Sequence, residues 1–222
     1  MATRALSYLD SVNLLESYGI ETPMQVMVRD DAQYEAAMSG RLAYPLVLKA
    51  VPKDAGHKSD KQLVMTGLHA RDEADEAYAK IKERAAGTEL EFFAVQQQVR
   101  GIEFIVGGKS DEVFGQTVVF GMGGVYVDLT SDFSVSVCPV DLDSAYEMLL
   151  ETKARAFFSK DGFRGLCASR NAGAHFISKV SQILQDNRDI REMDINPVIA
   201  AGDRFFAVDV RIILEENRTV KD

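Results

Sequence analysis

Four polar residues near the C-terminus lie where a pair of strands would bring them together. Asp194 and Asn196 interrupt one apolar run, Asp209 and Arg211 interrupt the next, and Gly202-Asp203 between the runs is typical of a two-residue hairpin turn with glycine first. In that register Asn196 faces Asp209 and Asp194 faces Arg211, all on one side of the sheet. Mg²⁺ binds such side-chain oxygens together with waters and substrate phosphates. The sequence therefore predicts a metal site, with a solvated face carrying one Asp–Arg pair as the alternative.

Two basic residues in the first half are candidates for phosphate chemistry. Lys49 interrupts the apolar run PLVLKAV, where a lysine either extends towards solvent or meets an anion. His57 lies in the polar stretch 52–62, beside Gly56 and Ser59. A neutral imidazole can act as a nucleophile and become phosphorylated. An exposed loop histidine is the alternative for His57, and its spacing alone favours that alternative.

A glycine run and one acid complete the candidates. Phe120 is followed by Gly121-Met122-Gly123-Gly124, which is too irregular for a dinucleotide-binding fingerprint. Glycines at a strand end let the backbone approach a ligand, or they supply a bulge or a turn. Glu103 is an acid within an apolar strand pattern. It either positions a ribose hydroxyl or a metal, or it faces water.

The elements that would position these residues predict an α+β fold of two lobes, because strands and helices are interspersed irregularly and without repeats. The first lobe, residues 1–90, would include the leading helix and the His57 loop. Its predicted elements are a helix over 5–18, a strand over 24–28, a helix from Asp30 or Asp31 to Gly40, strands over 46–51 and 63–68, and a helix over 71–86.

The second lobe, residues 91–222, would carry the metal-binding strand pair. The turn-like Arg100-Gly101 predicts a hairpin between its first two strands. Its other elements are predicted from apolar patterning. They are strands over 90–99, 102–106, 116–120, 125–129 and 133–137, helical segments near 141–160 and 171–186, and a strand pair over 193–200 and 205–213.

Length and composition narrow the class of protein. A chain of 222 residues accommodates one large domain or two docked lobes. Its formal net charge is −9, whereas proteins that bind nucleic acids or anionic membranes carry basic surfaces. The charge therefore argues against both classes. No apolar run reaches the length needed to cross a bilayer, and the N-terminus lacks the apolar region of a signal peptide. Two distant cysteines, Cys138 and Cys167, predict a reducing cytoplasmic location.

Several blocks of the chain, in order and nearly end to end, resemble the ATP-grasp chain of ADP-forming acyl-CoA synthetases. That family includes acetate–CoA ligase and is related to the succinyl-CoA synthetase β subunit. The resemblance implies a two-lobed nucleotide clamp and the reaction acid + CoA + ATP ⇌ acyl-CoA + ADP + phosphate, through phosphohistidine. The matching blocks are LLESYGIETP (14–23), YPLVLKAV (44–51), GHKSD (56–60), VRGIEFIVG (99–107), DEVFGQTVVFGMGGVYVDL (111–129), MDINPV (193–198) and AVDVRIIL (207–214).

The resemblance also implies roles for individual residues. His57 would be the phosphohistidine, and ATP or ADP would be bound as substrate together with Mg²⁺, or with Mn²⁺ in its place. The metal ligands would be Asn196, Asp209 and Asp194. The nucleotide contacts would be Lys49 and Glu103, the hinge residues Gln96, Gln97, Gln98 and Val99, and the glycine pair Gly123 and Gly124.

One departure from the family pattern leaves the function open. The family usually follows its HKSD segment with two glycines, whereas Asp60 here is followed by Lys61-Gln62, which restricts the backbone near phosphate. A degenerate ATP-grasp module with a structural or regulatory role is therefore one alternative. An ATP-grasp carboxylate–amine ligase, which needs no phosphohistidine, is the other.

The chain also lacks a domain for CoA. It has neither a dinucleotide-binding glycine pattern opening a βαβ unit nor room for the CoA-binding and ligase domains of the family. We therefore expect an α-type partner that binds CoA and the carboxylic acid. It would be a separate subunit in a hetero-oligomer or, if this chain is an excised fragment, part of the same polypeptide. Nucleic acid and membrane are not expected as partners.

Overall fold

The computed structural model describes residues 2–53, 63–123 and 132–216 and shows an α+β fold with two antiparallel sheets. No helix in these ranges is long and apolar enough to span a membrane. The elements of the first half are β1 (Thr3–Ala5), α1 (Tyr8–Ser17), β2 (Gln25–Val28), α2 (Asp31–Met38), β3 (Leu46–Pro52), β4 (Val64–Leu68), α3 (Arg71–Arg84) and β5 (Leu90–Gln97). Those of the second half are β6 (Ile102–Asp111), β7 (Gly115–Met122), β8 (Phe133–Val137), α4 (Leu142–Glu151), a 3-10 helix (Lys153–Phe158), α5 (Arg170–Asp186), β9 (Ile190–Ala201), β10 (Arg204–Ala207) and β11 (Val210–Glu215).

The chain divides into two compact units. The larger unit comprises Met1–Thr22 and Val99–Asp222, and the smaller comprises Pro23–Gln98. In the larger unit the strands follow the order β1-β11-β9-β6-β7-β8, with β10 also paired to β9. In the smaller unit the order is β2-β5-β3-β4.

Helices cover one face of the larger sheet. Leu184 of α5 approaches Gly108 of β6 so closely that a side chain at Gly108 would overlap it, so the even-numbered positions of β6 face α5. Phe104 on that face stacks on Phe158 and Phe205, with ring centroids 5.3 and 6.0 Å away. We call the opposite side, turned away from α5, the distal face of the larger sheet.

The smaller unit is built in the same way. Leu48, Ala50 and Val95 pack in one hydrophobic cluster with Ile81 of α3 and Ala37 of α2. The helix α2 begins where the sequence predicts, because the Asp30 side chain accepts a hydrogen bond from the Gln33 N–H at 2.8 Å and so caps the helix. The residues of β3 and β5 that alternate with this cluster lie on the distal face of the smaller sheet, turned away from α3.

The structure corrects the predicted lobe boundaries. The leading segment belongs to the larger unit, not to residues 1–90, because Thr3–Ala5 pairs with β11 and the Leu6 N–H donates to the Ile212 carbonyl. The boundary after residue 22 falls at Gln98/Val99 rather than at residue 90. The expected hairpin at Arg100-Gly101 is also wrong, since β5 and β6 belong to different sheets.

Two further elements differ from the predictions. The helical segment near 141–160 is broken at Thr152, which has an extended backbone conformation between α4 and the 3-10 helix. Strand β6 continues to Asp111 instead of ending at Val106. The predicted strand over 125–129 lies outside the described residues, as does most of the polar stretch 52–62.

Candidate functional site

The C-terminal strands have the register that the sequence predicts. Arg204 pairs with Ala201 across the turn, and Gly202 has the positive φ of 69° that a glycine-first turn requires. Farther along, Arg211 pairs with Asp194. The Asn196 N–H donates to the Asp209 carbonyl at 3.2 Å. The predicted neighbours are therefore neighbours in the fold.

These polar side chains lie on the distal face of the larger sheet. Met193 pairs with Gly108, which faces α5, so Asp194 next to Met193 points the other way. The β9 ladder shifts register between Phe104 and Val106 of β6, which leaves Asn196 and Pro197 opposite the single residue Ile105. Such a bulge re-aims side chains. It places Asn196 on the distal side, and the three predicted ligands are all partly buried.

This donor set fits a cation that arrives with a nucleotide. Asp194 and Asp209 supply carboxylates and Asn196 an amide oxygen, which suits Mg²⁺ bound by one or two carboxylates, waters and phosphates. Within residues 2–53, 63–123 and 132–216 there is no cluster of three or more His, Cys, Asp or Glu residues that could hold a metal ion.

Glu103 is on the same distal face as these residues but lies farther along the sheet. It is exposed and pairs with Ile199, whereas Asp194 pairs with Gly107, four residues farther along β6. Four residues of a strand span roughly 13 Å, which is too far for both carboxylates to bind one ion. The geometry therefore argues against shared metal binding with Asp194, and the exposure of Glu103 is equally compatible with a ligand contact and with a side chain that faces water.

Gly123 continues β7 beside Glu103. Its N–H donates to the Glu103 carbonyl at 3.0 Å. A Cβ atom on Gly123 would overlap the backbone carbonyl of Phe104. Only glycine fits this close approach of two backbones, so Gly123 has a structural requirement whether or not it also meets a ligand.

Lys49 lies within the smaller unit, on β3, one of the two inner strands of its sheet. It pairs with Ala94 of β5 and Val64 of β4, and it alternates with Leu48 and Ala50 of the core, so its side chain is on the distal face. Lys49 is only 6% exposed. The alternative in which its ammonium extends into solvent is thereby excluded.

Gln96 lies beside Lys49 on the same face. It pairs with Val47, two residues from Lys49, and it is 1% exposed. Its Nε2 lies 3.4 Å from Oε1 of Gln25 on β2. Sequence reasoning missed Gln25, although a polar residue beginning an apolar strand is a signal that could have identified it.

The other hinge residues mark the boundary between the two units. The Gln97 N–H donates to the Met24 carbonyl at 2.8 Å and the Gln98 N–H to the Pro45 carbonyl at 2.9 Å. The Gln98 side chain accepts from the Gly67 N–H at 2.9 Å, so it has a local structural role. Val99 is the first residue of the larger unit after this crossing.

Two candidates, His57 and Gly124, lie outside the described residues, as do Lys61 and Gln62. The remaining candidates fall into two groups, one in each unit. The smaller unit brings Lys49 and Gln96 together, and the larger unit brings Asp194, Asn196 and Asp209 together.

Comparison with known proteins identifies the family. A family model described as an ATP-grasp domain matches residues 2–214. The chain belongs to the ATP-grasp family. This confirms the fold and the family that the sequence blocks predict.

Within the ATP-grasp family, the chain is similar to subunits and segments of ADP-forming acetate–CoA ligases. It is 34% identical to the β subunit of acetate–CoA ligase (ADP-forming) I of Pyrococcus furiosus, over 95% of this chain and 92% of that subunit. It is 36% identical to acetate–CoA ligase (ADP-forming) I of Archaeoglobus fulgidus, over 93% of this chain but only 30% of that protein. It thus matches a separate subunit almost completely and a longer ligase in part.

Solved structures give the same family. A Korarchaeum cryptofilum acetyl-coenzyme A synthetase in complex with coenzyme A, Ca-AMPCP and HgCl+ has a TM-score of 0.87 and 33% identity, covering 96% of this chain and 94% of that one. A second structure of that synthetase, with TM-score 0.79 and 32% identity over 95% of this chain and 93% of that one, contains coenzyme A and Mg-AMPPCP with a phosphohistidine segment pointing towards the nucleotide-binding site.

Proposed function

We propose that this chain is the nucleotide-binding β component of an ADP-forming acid–CoA ligase, which catalyses acid + CoA + ATP ⇌ acyl-CoA + ADP + phosphate through a phosphohistidine. The observation that carries the proposal is the near end-to-end similarity to a separate β subunit of such a ligase. The buried Lys49 and the paired Asn196 and Asp209 provide the side chains that this role needs.

Lys49 binds the phosphates of the nucleotide in this account. Its burial among apolar strands lowers the local dielectric and so strengthens its attraction for an anion. The base lies against Gln96, Gln97, Gln98 and Val99, and Glu103 contacts another part of the nucleotide, such as a ribose hydroxyl. Gly123 and Gly124 keep side chains away from the reacting phosphates.

Asp194, Asn196 and Asp209 hold the divalent cation, for which we propose Mg²⁺, with Mn²⁺ as a substitute. When bound, the cation neutralises charge on the phosphate oxygens. The three residues are only partly buried, which leaves room for water and for the nucleotide. The bulge at Asn196 is the local feature that presents an amide oxygen beside a carboxylate.

His57 is the phosphoryl carrier. A ring nitrogen of His57 attacks the γ-phosphorus of ATP, the bond from that phosphorus to the bridging oxygen breaks, and ADP leaves with that electron pair. The phosphoryl group is then passed on towards the acyl-CoA site. The relative with a phosphohistidine segment directed at its nucleotide site supports this role.

The acyl-CoA site belongs to an α-type partner in this proposal. The chain covers 92% of a β subunit in one relative and only 30% of a longer ligase in another, so the proposal places most of the enzyme outside this chain. The partner supplies the sites for CoA and the carboxylic acid, and the assembly is a hetero-oligomer. The free thiols of Cys138 and Cys167 are consistent with the reducing cytoplasm as its location.

The test is to combine the chain with its α-type subunit and to measure the products formed from ATP, CoA and a panel of short carboxylic acids. The proposal predicts equal amounts of ADP and acyl-CoA over many turnovers. The chain alone should make no acyl-CoA and should release no more than one equivalent of ADP, from phosphorylation of His57. Product formation that requires an amine and not CoA would indicate a carboxylate–amine ligase. A stable complex without ADP formation would indicate a structural module.

A further inference from the structure

The β6–β7 hairpin ends in a loop that projects beyond both neighbouring strands. The two strands pair from Phe104 and Met122 out to Asp111 and Gly115. Pairing with β9 stops at Lys109, and pairing with β8 stops at Thr117. The loop Glu112–Phe114, which we call the hairpin tip, therefore lies beyond the last ladder pairs with β9 and β8. Gln116, just inside the tip, is still anchored, because its Nε2 donates to the Ile190 carbonyl and its main-chain carbonyl accepts from the Cys138 N–H, both at 2.8 Å.

The tip exposes two large apolar side chains next to each other. Val113 is 82% exposed and Phe114 is 66% exposed, the highest values among the large hydrophobic residues that the structure describes as exposed. Removing such apolar side chains from water by burying them against a partner stabilises a complex. The exposure of two adjacent apolar side chains to water is thus unfavourable unless another surface covers them.

The tip is held in a fixed conformation. The Asp111 carboxylate accepts hydrogen bonds from the Val113 N–H at 2.8 Å and the Phe114 N–H at 3.0 Å. These two bonds hold the pKa of Asp111 below its usual range. Gly115 closes the loop with φ of 77°. A preorganised loop loses little conformational entropy on binding, which distinguishes this tip from a loose apolar segment.

We propose that the hairpin tip docks into the α-type, CoA-binding part of the ligase. This inference rests on the proposed function. The occupant is argued from the lengths of the relatives, because the chain matches a separate β subunit almost completely and only 30% of a longer ligase, so the rest of the enzyme is the partner that the proposed function requires. Glu112 is the acidic residue of the tip itself, so the socket is apolar with a basic side chain at its rim.

The experiment measures the affinity of the chain for the purified α-type subunit by calorimetry. Phe114→Ser is expected to weaken the complex by about tenfold or more, and Val113→Ser should weaken it less because valine contributes less area. The matched control is Leu166→Ser, which removes another apolar side chain of the same unit that is 54% exposed. It should change the affinity by less than about twofold.

A second pair of variants tests the fixed conformation. Asp111→Asn retains an oxygen that accepts both backbone hydrogen bonds, so its affinity should stay within about twofold of the original. Asp111→Ala removes the acceptor and should weaken the complex by about three- to tenfold. Nucleotide binding by the isolated chain should be the same in all five variants, because none of the altered residues belongs to the proposed nucleotide site.

The outcomes separate the two proposals. If the unaltered pair makes acyl-CoA and Phe114→Ser binds as tightly as the original chain, the tip is not the docking element although the function stands. Equal weakening by Phe114→Ser and Leu166→Ser also contradicts the inference, as does self-association of the chain that Phe114→Ser abolishes. If the unaltered chain forms no complex with the α-type subunit, the proposed function itself is contradicted.

Discussion

The backbones of Asn196 and Asp209 are joined where two strands depart from regular pairing. The Asn196 N–H donates to the Asp209 carbonyl at 3.2 Å. Asp209 lies between the end of β10 and the start of β11, and Asn196 lies at the register shift between β9 and β6. The side chains of Asn196 and Asp209 therefore start from adjacent positions outside the regular strand pairing. Two oxygen ligands of one cation need such neighbouring positions.

Asp209→Asn should weaken Mg²⁺-dependent nucleotide binding, because a neutral amide replaces a charged ligand of the same shape. We expect a loss of about tenfold or more in affinity for Mg-ADP, with little change in stability. Calorimetric titration with Mg-ADP, and with ADP in the presence of a chelator, measures the effect. Asp203→Asn, on the exposed turn of the same strand pair, is the control. Equal affinity in both variants would mean that Asp209 is not a ligand.

Lys49→Met should abolish most of the affinity for ATP while the unit stays folded. Methionine has a similar length and no charge, so it fills the buried position on β3 without leaving an ion there. We expect ATP binding to weaken by at least about tenfold, measured by fluorescence competition with a labelled analogue. Lys53→Met removes a cation that is mostly exposed and paired with Glu89, and it should bind ATP normally. ATP binding that survives in Lys49→Met would remove Lys49 from the site.

Gly123→Ala should destabilise the larger unit. The added methyl would overlap the Phe104 carbonyl, and forcing an extra group into a packed site costs about 1–3 kcal/mol. The free energy of unfolding in urea, measured without nucleotide, reports this cost. An unchanged free energy of unfolding would show that the backbones at Gly123 and Phe104 can separate without loss of stability. The requirement for glycine at position 123 would then have to come from a ligand.

Tyr34 and Tyr78 provide a test of the smaller unit at alkaline pH. Their rings stack with centroids 4.0 Å apart, and their hydroxyls donate to Asp75 and Asp31 at 2.8 and 3.0 Å. Burial, followed by the hydrogen bonds to these carboxylates, raises the pKa of both tyrosines. The pKa of each tyrosine in the folded chain exceeds the unfolded value of about 10. Their contribution to the free energy of unfolding is therefore complete below about pH 10 and is lost as the pH rises above it.

The measurement is the free energy of unfolding in urea as a function of pH. It should fall as the pH rises above about 10, and the fall should be shallower in Tyr34→Phe and in Tyr78→Phe. Tyr146→Phe in the larger unit is the control. It also removes one tyrosine hydroxyl, but that hydroxyl donates to a neutral side chain, Asn171. A slope in Tyr34→Phe equal to that of the original chain would contradict the assignment.

The sequence could predict features that are fixed by neighbouring residues. The register of Asp194 with Arg211 follows from Gly202 and from alternation along two strands, both of which are local. Asp30 could be identified as a helix start because its side chain caps the residues that immediately follow it. The candidate ligands Asp194 and Asn196 on β9, and Asp209 just before β11, could be proposed from the sequence for the same reason.

Features that depend on distant residues could not be predicted in this way. Gly101 has the composition of a turn, but a Cβ there would overlap the Ala200 carbonyl, so the glycine permits close approach to β9 and the chain continues into another sheet. The helix α1 was assigned to the wrong unit because the pairing of Thr3 with Glu215 leaves no local signal. The proximity of Gln25 to Gln96 is also set by strand order.

Transfer of labelled phosphate to His57 tests the central claim most directly. The chain and its α-type subunit would be incubated with Mg²⁺ and γ-labelled ATP, and the chain separated under alkaline conditions. We predict acid-labile label on this chain, its loss in His57→Ala, and its retention in His175→Gln, which alters an exposed histidine of α5. ADP and acyl-CoA formation that continues in His57→Ala, with no label on the original chain, would contradict the account.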